Sequence, residues 1–153
     1  MVEPGTGYIR SIANSREYGP SGEGRSQVNY AVDKAMGESN GIQAGSAFKP
    51  FVLAAAIRQG IPLNTTINAP QTLPMGGEKF EICWNGNSIY TTDRDYSPKN
   101  STGSGRYDLR TGTERSVNTF YVQLLQRTGI CEPATIAQES GIFKEINRQP
   151  LRK

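Results

Sequence analysis

Histidine does not occur among the 153 residues of this chain, and that absence removes several chemistries at once. Ser-His-Asp and Cys-His catalysis are excluded, as is every zinc site that needs imidazole. Acid–base chemistry near neutral pH would have to come from a lysine or carboxylate with a shifted pKa. Cysteine is scarce: Cys83 and Cys131 have no C-x-x-C spacing. A disulfide in an oxidising compartment and two unrelated buried thiols both fit that pair. Charge of one sign is also lacking, with 17 Lys and Arg against 14 Asp and Glu. The basic residues are scattered, so a nucleic-acid footprint is poorly supported. No run approaches the ~18 apolar residues of a membrane span. The start "MVEPGTGYIRSIANS" lacks the charged beginning and apolar middle of a signal peptide. Leu, Ile, Val and Phe total 30 residues, near the low end for a globular core. The length suits one domain or part of a larger one.

Local patterns then divide the chain. Residues 1–18 read as a hairpin, "MVE" and "YIRSIANS" flanking the turn "PGTG". Residues 19–26 read as a flexible loop, whose glycines suggest a phosphate cradle only faintly, because no GK[ST] follows and no apolar helix begins there. Residues 29–37 predict a short helix capped by Asn29 and stopped at Gly37. Phe51 to Ile57 is apolar all round, which predicts a helix buried on every side. Gly60 then supplies a left-handed C-cap and Pro62 prevents continuation. Residues 63–106 form a long polar stretch with one weak strand signal in "EKFEICW", expected as a groove wall or a mobile segment. "SVNTFYVQLLQRTG" predicts a second long helix with Phe120, Val122, Leu124 and Leu125 on its apolar face and Gly129 at its end. "EPATIAQESG" predicts a third, with Pro133 near its first turn.

Chemistry concentrates at two places. Ser46 and Lys49 stand three apart, which puts both side chains on one face of a single helical turn, α or 3₁₀. Pro50 marks that turn as the first, where a missing N–H does least harm. The positive end of the helix favours a developing alkoxide on Ser46. The same field and partial burial disfavour an ammonium, pushing Lys49 toward the neutral amine a base must be. An ordinary Ser N-cap followed by a snorkelling lysine would look the same. With 12 serines and 6 lysines in the chain, chance alone gives about half an S-x-x-K match. Ser116 and Asn118, just before the second helix, can face a cleft as a proton relay and a substrate clamp. The plain alternative is that they cap the helix. Chance supplies about 0.8 such pairs from 12 serines and 10 asparagines.

Together, "GSAFKPF" followed by "SVNTF" resembles the SxxK and SxN motifs of penicillin-binding transpeptidases. "VEPGTGYIRSIAN" resembles the family's opening strand pair, and "YSPKN" the segment before the second motif. The similarity covers residues 1–142 and is closest to bifunctional (class A) enzymes; "VQLLQRTGICEP" is similar to actinobacterial members. Residues 143–153 are a divergent tail. The resemblance implies an α/β architecture, a partial serine β-lactamase/transpeptidase-like fold. In it an N-terminal strand pair joins a helical subdomain and the C-terminal strands of the sheet are missing. It implies Ser46 as acylated nucleophile, Lys49 as its base, Ser116 as relay and Asn118 as substrate clamp. It implies a peptidoglycan stem peptide ending in D-Ala-D-Ala and β-lactams as partners, no nucleic acid, no metal or organic cofactor, and an extracytoplasmic parent protein. The family's third motif, K-T-G, does not occur in the chain. "RTG" at 110–112 and 127–129 is better read as local turn chemistry. The chain alone is therefore expected to be weak or inactive. A serine β-lactamase or D,D-carboxypeptidase relative, and a non-catalytic remnant or binding fragment, are the alternatives.

Overall fold

A computed structural model describes residues 1–32, 37, 44–82 and 88–142. They fall into two compact units, one within residues 1–43 and the other within 44–143. In the first unit, the expected hairpin is reduced to one antiparallel bridge, Val2 to Ile9, closed by Glu3 N–H on Tyr8 O at 2.9 Å. Tyr8, Ile9 and Ile12 are all exposed, so no buried face extends the pairing or pins its register. The stretch read as a loop instead contributes a strand: β1 (Glu17–Tyr18) pairs in parallel with β2 (Arg25–Ser26). Of the helix expected over 29–37, Asn29 Oδ1 does accept the Ala31 N–H at 3.0 Å. Residues 33–36 lie outside the described residues.

Most of the described secondary structure lies in the second unit. A 3₁₀ turn, Gly45–Phe48, runs directly into α1 (Lys49–Arg58). There follow β3 (Ile67–Ala69), β4 (Lys79–Ile82), β5 (Ser88–Thr91) and β6 (Gly105–Tyr107). Three helices complete the unit: α2 (Leu109–Glu114), α3 (Asn118–Thr128) and α4 (Cys131–Glu139). The helix α1 packs on α3 and α4, and the ribbon β3–β6 lies on α3. Val52, Ala56, Ile67, Leu109, Phe120 and Leu124 form the centre of the core. Arg58 ties α1 to α4 by reaching both Glu132 at 3.0 Å and Glu139 at 2.8 Å. These pairs are half exposed and add little beyond register.

Helix α1 departs from its expected burial. Only Val52, Ala55 and Ala56 are buried, and Ile57 is 53% exposed. Three consecutive alanines make the run look uniformly apolar, yet alanine serves an exposed helical face as well as a buried one. The stop at Gly60 is as expected. Gly60 has φ +77, its N–H donates to Ile57 O at 3.0 Å, and the Ile61 N–H donates to Ala56 O at 2.9 Å. Those two bonds are the Schellman closure that a left-handed glycine permits.

Among its described residues the polar stretch 63–106 carries short strands, and β4 (Lys79–Ile82) falls where "EKFEICW" gave its weak strand signal. β3 pairs antiparallel with β6, from Ile67 opposite Tyr107 to Ala69 opposite Gly105. β4 pairs antiparallel with β5, Phe80 facing Tyr90. Its burial alternates in β3, where Ile67 and Ala69 point inward and Asn68 outward; runs of three or four residues are too short to signal by period. "RTG" at 110–112 is likewise corrected, since it lies inside α2. Asp108 caps that helix by a capping box with Thr111, its Oδ1 accepting the Thr111 N–H at 2.7 Å. The Thr111 side-chain hydrogen bond, with the backbone one, holds the Asp108 carboxyl below its ordinary pKa. The helices at 118–128 and 131–139 match the two read from sequence, although α3 buries Thr119, Tyr121 and Thr128 besides Phe120 and Leu124. Cys131 is disulfide-bonded, and Cys83 lies outside the described residues. No described helix is long and apolar enough to cross a membrane.

Gly112 is where α2 touches α3. A Cβ there would stand 2.7 Å from Cδ1 of Phe120, a ring with no exposure at all. Gly112→Ala is therefore expected to destabilise the chain by about 1–3 kcal/mol through overpacking. Urea denaturation checks this; an unchanged midpoint would show that the two helices can part at no cost.

Candidate active site

The first motif is positioned by its turn. Gly45 has φ +55, a left-handed residue that turns the chain into the 3₁₀ turn. The Lys49 N–H then donates to Ser46 O, and Pro50 occupies the first turn of α1. Ser46 is not the ordinary cap of this helix. The N-cap of α1 is Phe48, the residue before the turn is Ala44, and neither makes a side-chain cap bond. Ser46 is exposed while Lys49 is half buried. Among the described residues no hydrogen bond joins Ser46 Oγ to Lys49, a contact often loose without substrate.

Lys49 is the meeting point. Its Nζ donates to Ser116 O at 2.6 Å, Asn118 Oδ1 at 2.7 Å and Ser116 Oγ at 2.9 Å. It also lies 5.5 Å from the ring centroid of Tyr121. No carboxylate pairs with it among the described residues. Desolvation lowers its pKa from the ordinary lysine range. Tyr121 is held in place by a 2.6 Å hydrogen bond between its hydroxyl and Thr113, and burial raises its own pKa. The structure thus brings Lys49, Ser116 and Asn118 together across 67 and 69 positions of sequence, with Ser46 one turn earlier on the same helical segment.

The second motif has an unusual backbone. Ser116 has φ +50, the one non-glycine residue with positive φ among the described residues. That conformation costs an L-residue of this kind roughly 1–2 kcal/mol and needs support from its surroundings. It points both the carbonyl and the hydroxyl of Ser116 at Lys49. The capping alternative fails here too. The N-cap of α3 is Val117, which makes no side-chain cap bond, and the Asn118 side chain bridges Lys49 and Lys99 O, the latter at 2.7 Å. Four residues that the sequence reading did not name complete the surroundings: Asn100, Thr113, Thr119 and Tyr121. Asn100 belongs to "YSPKN", so the segment was legible though its role was not.

No group of three His, Cys, Asp or Glu among the described residues is placed to hold a metal ion. A concavity of about 810 Å³ opens in the first unit, lined by Asn14, Arg16, Tyr18 and Tyr30 among others. Among the described residues that line it there is none of the four candidate residues.

Several known proteins are similar to this chain. Residues 1–142 match the penicillin binding protein transpeptidase domain. Penicillin-binding protein 1A of Neisseria flavescens is 36% identical over 128 residues, 82% of this chain and 13% of that protein. Penicillin-binding protein 1A of Neisseria lactamica is 40% identical over 91 residues, 58% of this chain and 10% of that protein. Among solved structures, penicillin-binding protein A from M. tuberculosis, as its ceftriaxone acyl-enzyme complex, superposes with a TM-score of 0.51 at 25% identity. The match covers 66% of this chain and 20% of that one. The chain thus spans only a small part of the relatives it matches.

The lowered pKa of Lys49 makes stability depend on pH with a definite sign. Between its folded value and the ordinary lysine value, the unfolded chain binds more protons, so stability rises with pH across that window. Below it, both states are protonated and the full cost of desolvating the ammonium is present. Tyr121 contributes oppositely at its alkaline end, because its raised pKa favours the unfolded chain there. Denaturation of wild type beside Lys49→Met isolates the lysine: the stability gap should move in favour of wild type as pH rises. A gap independent of pH would show that Lys49 is as solvated folded as unfolded.

Proposed function

Because the chain belongs to the penicillin-binding protein transpeptidase family, we propose that Ser46 is its acylated nucleophile and Lys49 the base that activates it. The observation that carries this is the position of Lys49, half buried, free of carboxylates among the described residues, and in contact with both members of the second motif. In the neutral form the amine accepts the Ser46 proton as Oγ attacks the penultimate carbonyl of a D-Ala-D-Ala stem peptide. The tetrahedral intermediate collapses to a seryl ester, and the departing D-alanine amine takes a proton through Lys49 and Ser116. Asn118, anchored at Lys99 O, orients the peptide. An amine of a neighbouring stem peptide then attacks the ester, forming the cross-link and freeing Ser46. A β-lactam follows the first half-reaction and remains as the acyl-enzyme.

The finer assignment is to class A, supported by the penicillin-binding protein 1A relatives. An actinobacterial-like character is supported by the M. tuberculosis likeness. On this reading residues 1–142 are part of a transpeptidase-like domain with 143–153 as a tail. The parent protein works outside the cytoplasm and needs no cofactor. Taken by themselves, these 153 residues carry no K-T-G, and the second reading is that this stretch alone acts as a binding fragment that does not acylate.

Intact-mass analysis after incubation with penicillin separates these. The purified chain is expected to acylate far below stoichiometry, with the trace adduct absent from Ser46→Ala and Lys49→Ala. A stoichiometric, Ser46-dependent adduct would show that these residues suffice for acylation and would overturn the fragment reading. An adduct that persists in Ser46→Ala would overturn the assignment of the nucleophile.

A further inference from the structure

Helix α3 carries the second motif at its start, yet nothing in its own sequence caps it. Its N-cap is Val117, whose side chain has no oxygen to offer. The missing acceptor comes from 17 to 19 residues upstream. Asn100 Oδ1 accepts the N–H of Thr119 at 2.9 Å, the second amide of the helix, which is the bond an N-cap side chain would otherwise make. Asn100 is 5% exposed and Thr119 is fully buried. The Asn100 Nδ2 donates to Thr119 Oγ1 at 2.9 Å, Gly103 O at 2.9 Å and Pro70 O at 3.0 Å. Thr119 Oγ1 in turn donates to Pro70 O at 2.7 Å. The Asn100 main chain is fixed as well, its N–H on Gln71 O at 3.0 Å and its carbonyl receiving Gln71 Nε2 at 2.6 Å. No described buried side-chain polar atom is left without a partner.

We propose that Asn100, with Thr119, is the positioning residue of the second motif, capping α3 from outside so that Ser116 and Asn118 keep their side chains for Lys49. Two features give the arrangement its point. A Ser or Asn that capped its own helix would turn its oxygen to the backbone and lose the lysine. The left-handed Ser116 also needs the residues on either side fixed: Val117 is buried before the helix, and Thr119 is clamped one residue beyond Asn118. The same segment serves Asn118 directly, because Lys99, the neighbour of Asn100, supplies the carbonyl that Asn118 Nδ2 holds. Asn100 touches no reacting atom and acts only through the turn.

The proposal rests on the functional reading above, and its test needs no turnover. Lys49 is titrated by NMR in the full chain with ¹³C-labelled lysine, the signal assigned by Lys49→Met. Ser116, Asn118 and the Tyr121 phenol face its Nζ, and no charged group does among the described residues. In Asn100→Ala the turn loosens, water reaches Nζ, and the Lys49 titration moves up toward that of an ordinary lysine. Thr119→Val, which keeps the shape and removes the hydroxyl, is expected to move it in the same direction. Thr119→Ser, which keeps the hydroxyl, stays at the wild-type value. A structural contribution to stability alone would lower the denaturation midpoint and leave the Lys49 titration of the folded chain where it was. A depressed wild-type value that neither Asn100→Ala nor Thr119→Val raises would overturn the proposal. If Asn100→Ala does not fold, Thr119→Val against Thr119→Ser decides it. A wild-type Lys49 that already titrates as an ordinary lysine would defeat the functional reading and the proposal with it, and so is told apart from failure of the proposal alone.

Discussion

An ammonium that is partly stripped of water and given three oxygens, none of them a carboxylate among the described residues, is held by geometry rather than by charge. Lys49 stands in that position. A paired carboxylate would stabilise the charged form and raise its pKa, making the amine a poorer base. Neutral acceptors satisfy its donors, while desolvation still draws the pKa down. The surrounding elements answer to this requirement. The 3₁₀ turn delivers the lysine at the first residue of α1, the Tyr121 ring lies beside it, and α3 starts where its first residues can meet it.

The second requirement is that these elements stay in register although they lie far apart in sequence. The core supplies most of it. Phe120 and Leu124 of α3 pack with Val52 and Ala56 of α1, and Gly112 lets α2 approach the Phe120 ring. The polar layer supplies the rest, because its hydrogen bonds have direction where apolar contacts have none. Asn100, Thr119 and the carbonyl of Pro70 join the end of β3, the segment before β6 and the start of α3. Buried networks of this kind are worthwhile only when every member is satisfied, and this one is.

What could be read in the sequence follows from how local each signal is. The motifs were legible because Ser46–Lys49 and Ser116–Asn118 are short spacings with distinct chemistry. The long helices were legible from period and from stops such as Gly60 and Gly129. In the 63–106 stretch only β4 was legible, from "EKFEICW"; the other strands were not, since strands of three or four residues show no reliable alternation and take their order from partners elsewhere: Ile67 from Tyr107, Phe80 from Tyr90. Helix α2 was missed because six residues containing a glycine look like a turn until Asp108 and Thr111 are seen to cap them. The cap of α3 was invisible for the same reason. Sequence rules look for the capping residue beside the helix, and here it comes from another segment. The alternative reading of Ser116 and Asn118 as caps is rejected by Val117 at the N-cap and by the Asn118 side chain on Lys49 and Lys99 O, and Asn100 shows where the cap comes from instead.

The shortest of the three bonds to Lys49 comes from the Ser116 carbonyl rather than from any side chain. A contact made by the main chain belongs to a backbone shape, and the genetic code specifies it only through whatever keeps that shape. Exchanging the Ser116 hydroxyl or the Asn118 amide alone does not remove such a carbonyl, so those two groups would be credited with an environment they only share. Its counterpart is that tolerance at Ser116 is governed by two independent demands, the hydroxyl and the left-handed backbone. Glycine, asparagine and aspartate meet the second demand more readily than alanine or valine. The family resemblance between related chains at this point can therefore lie in a conformation as much as in a letter.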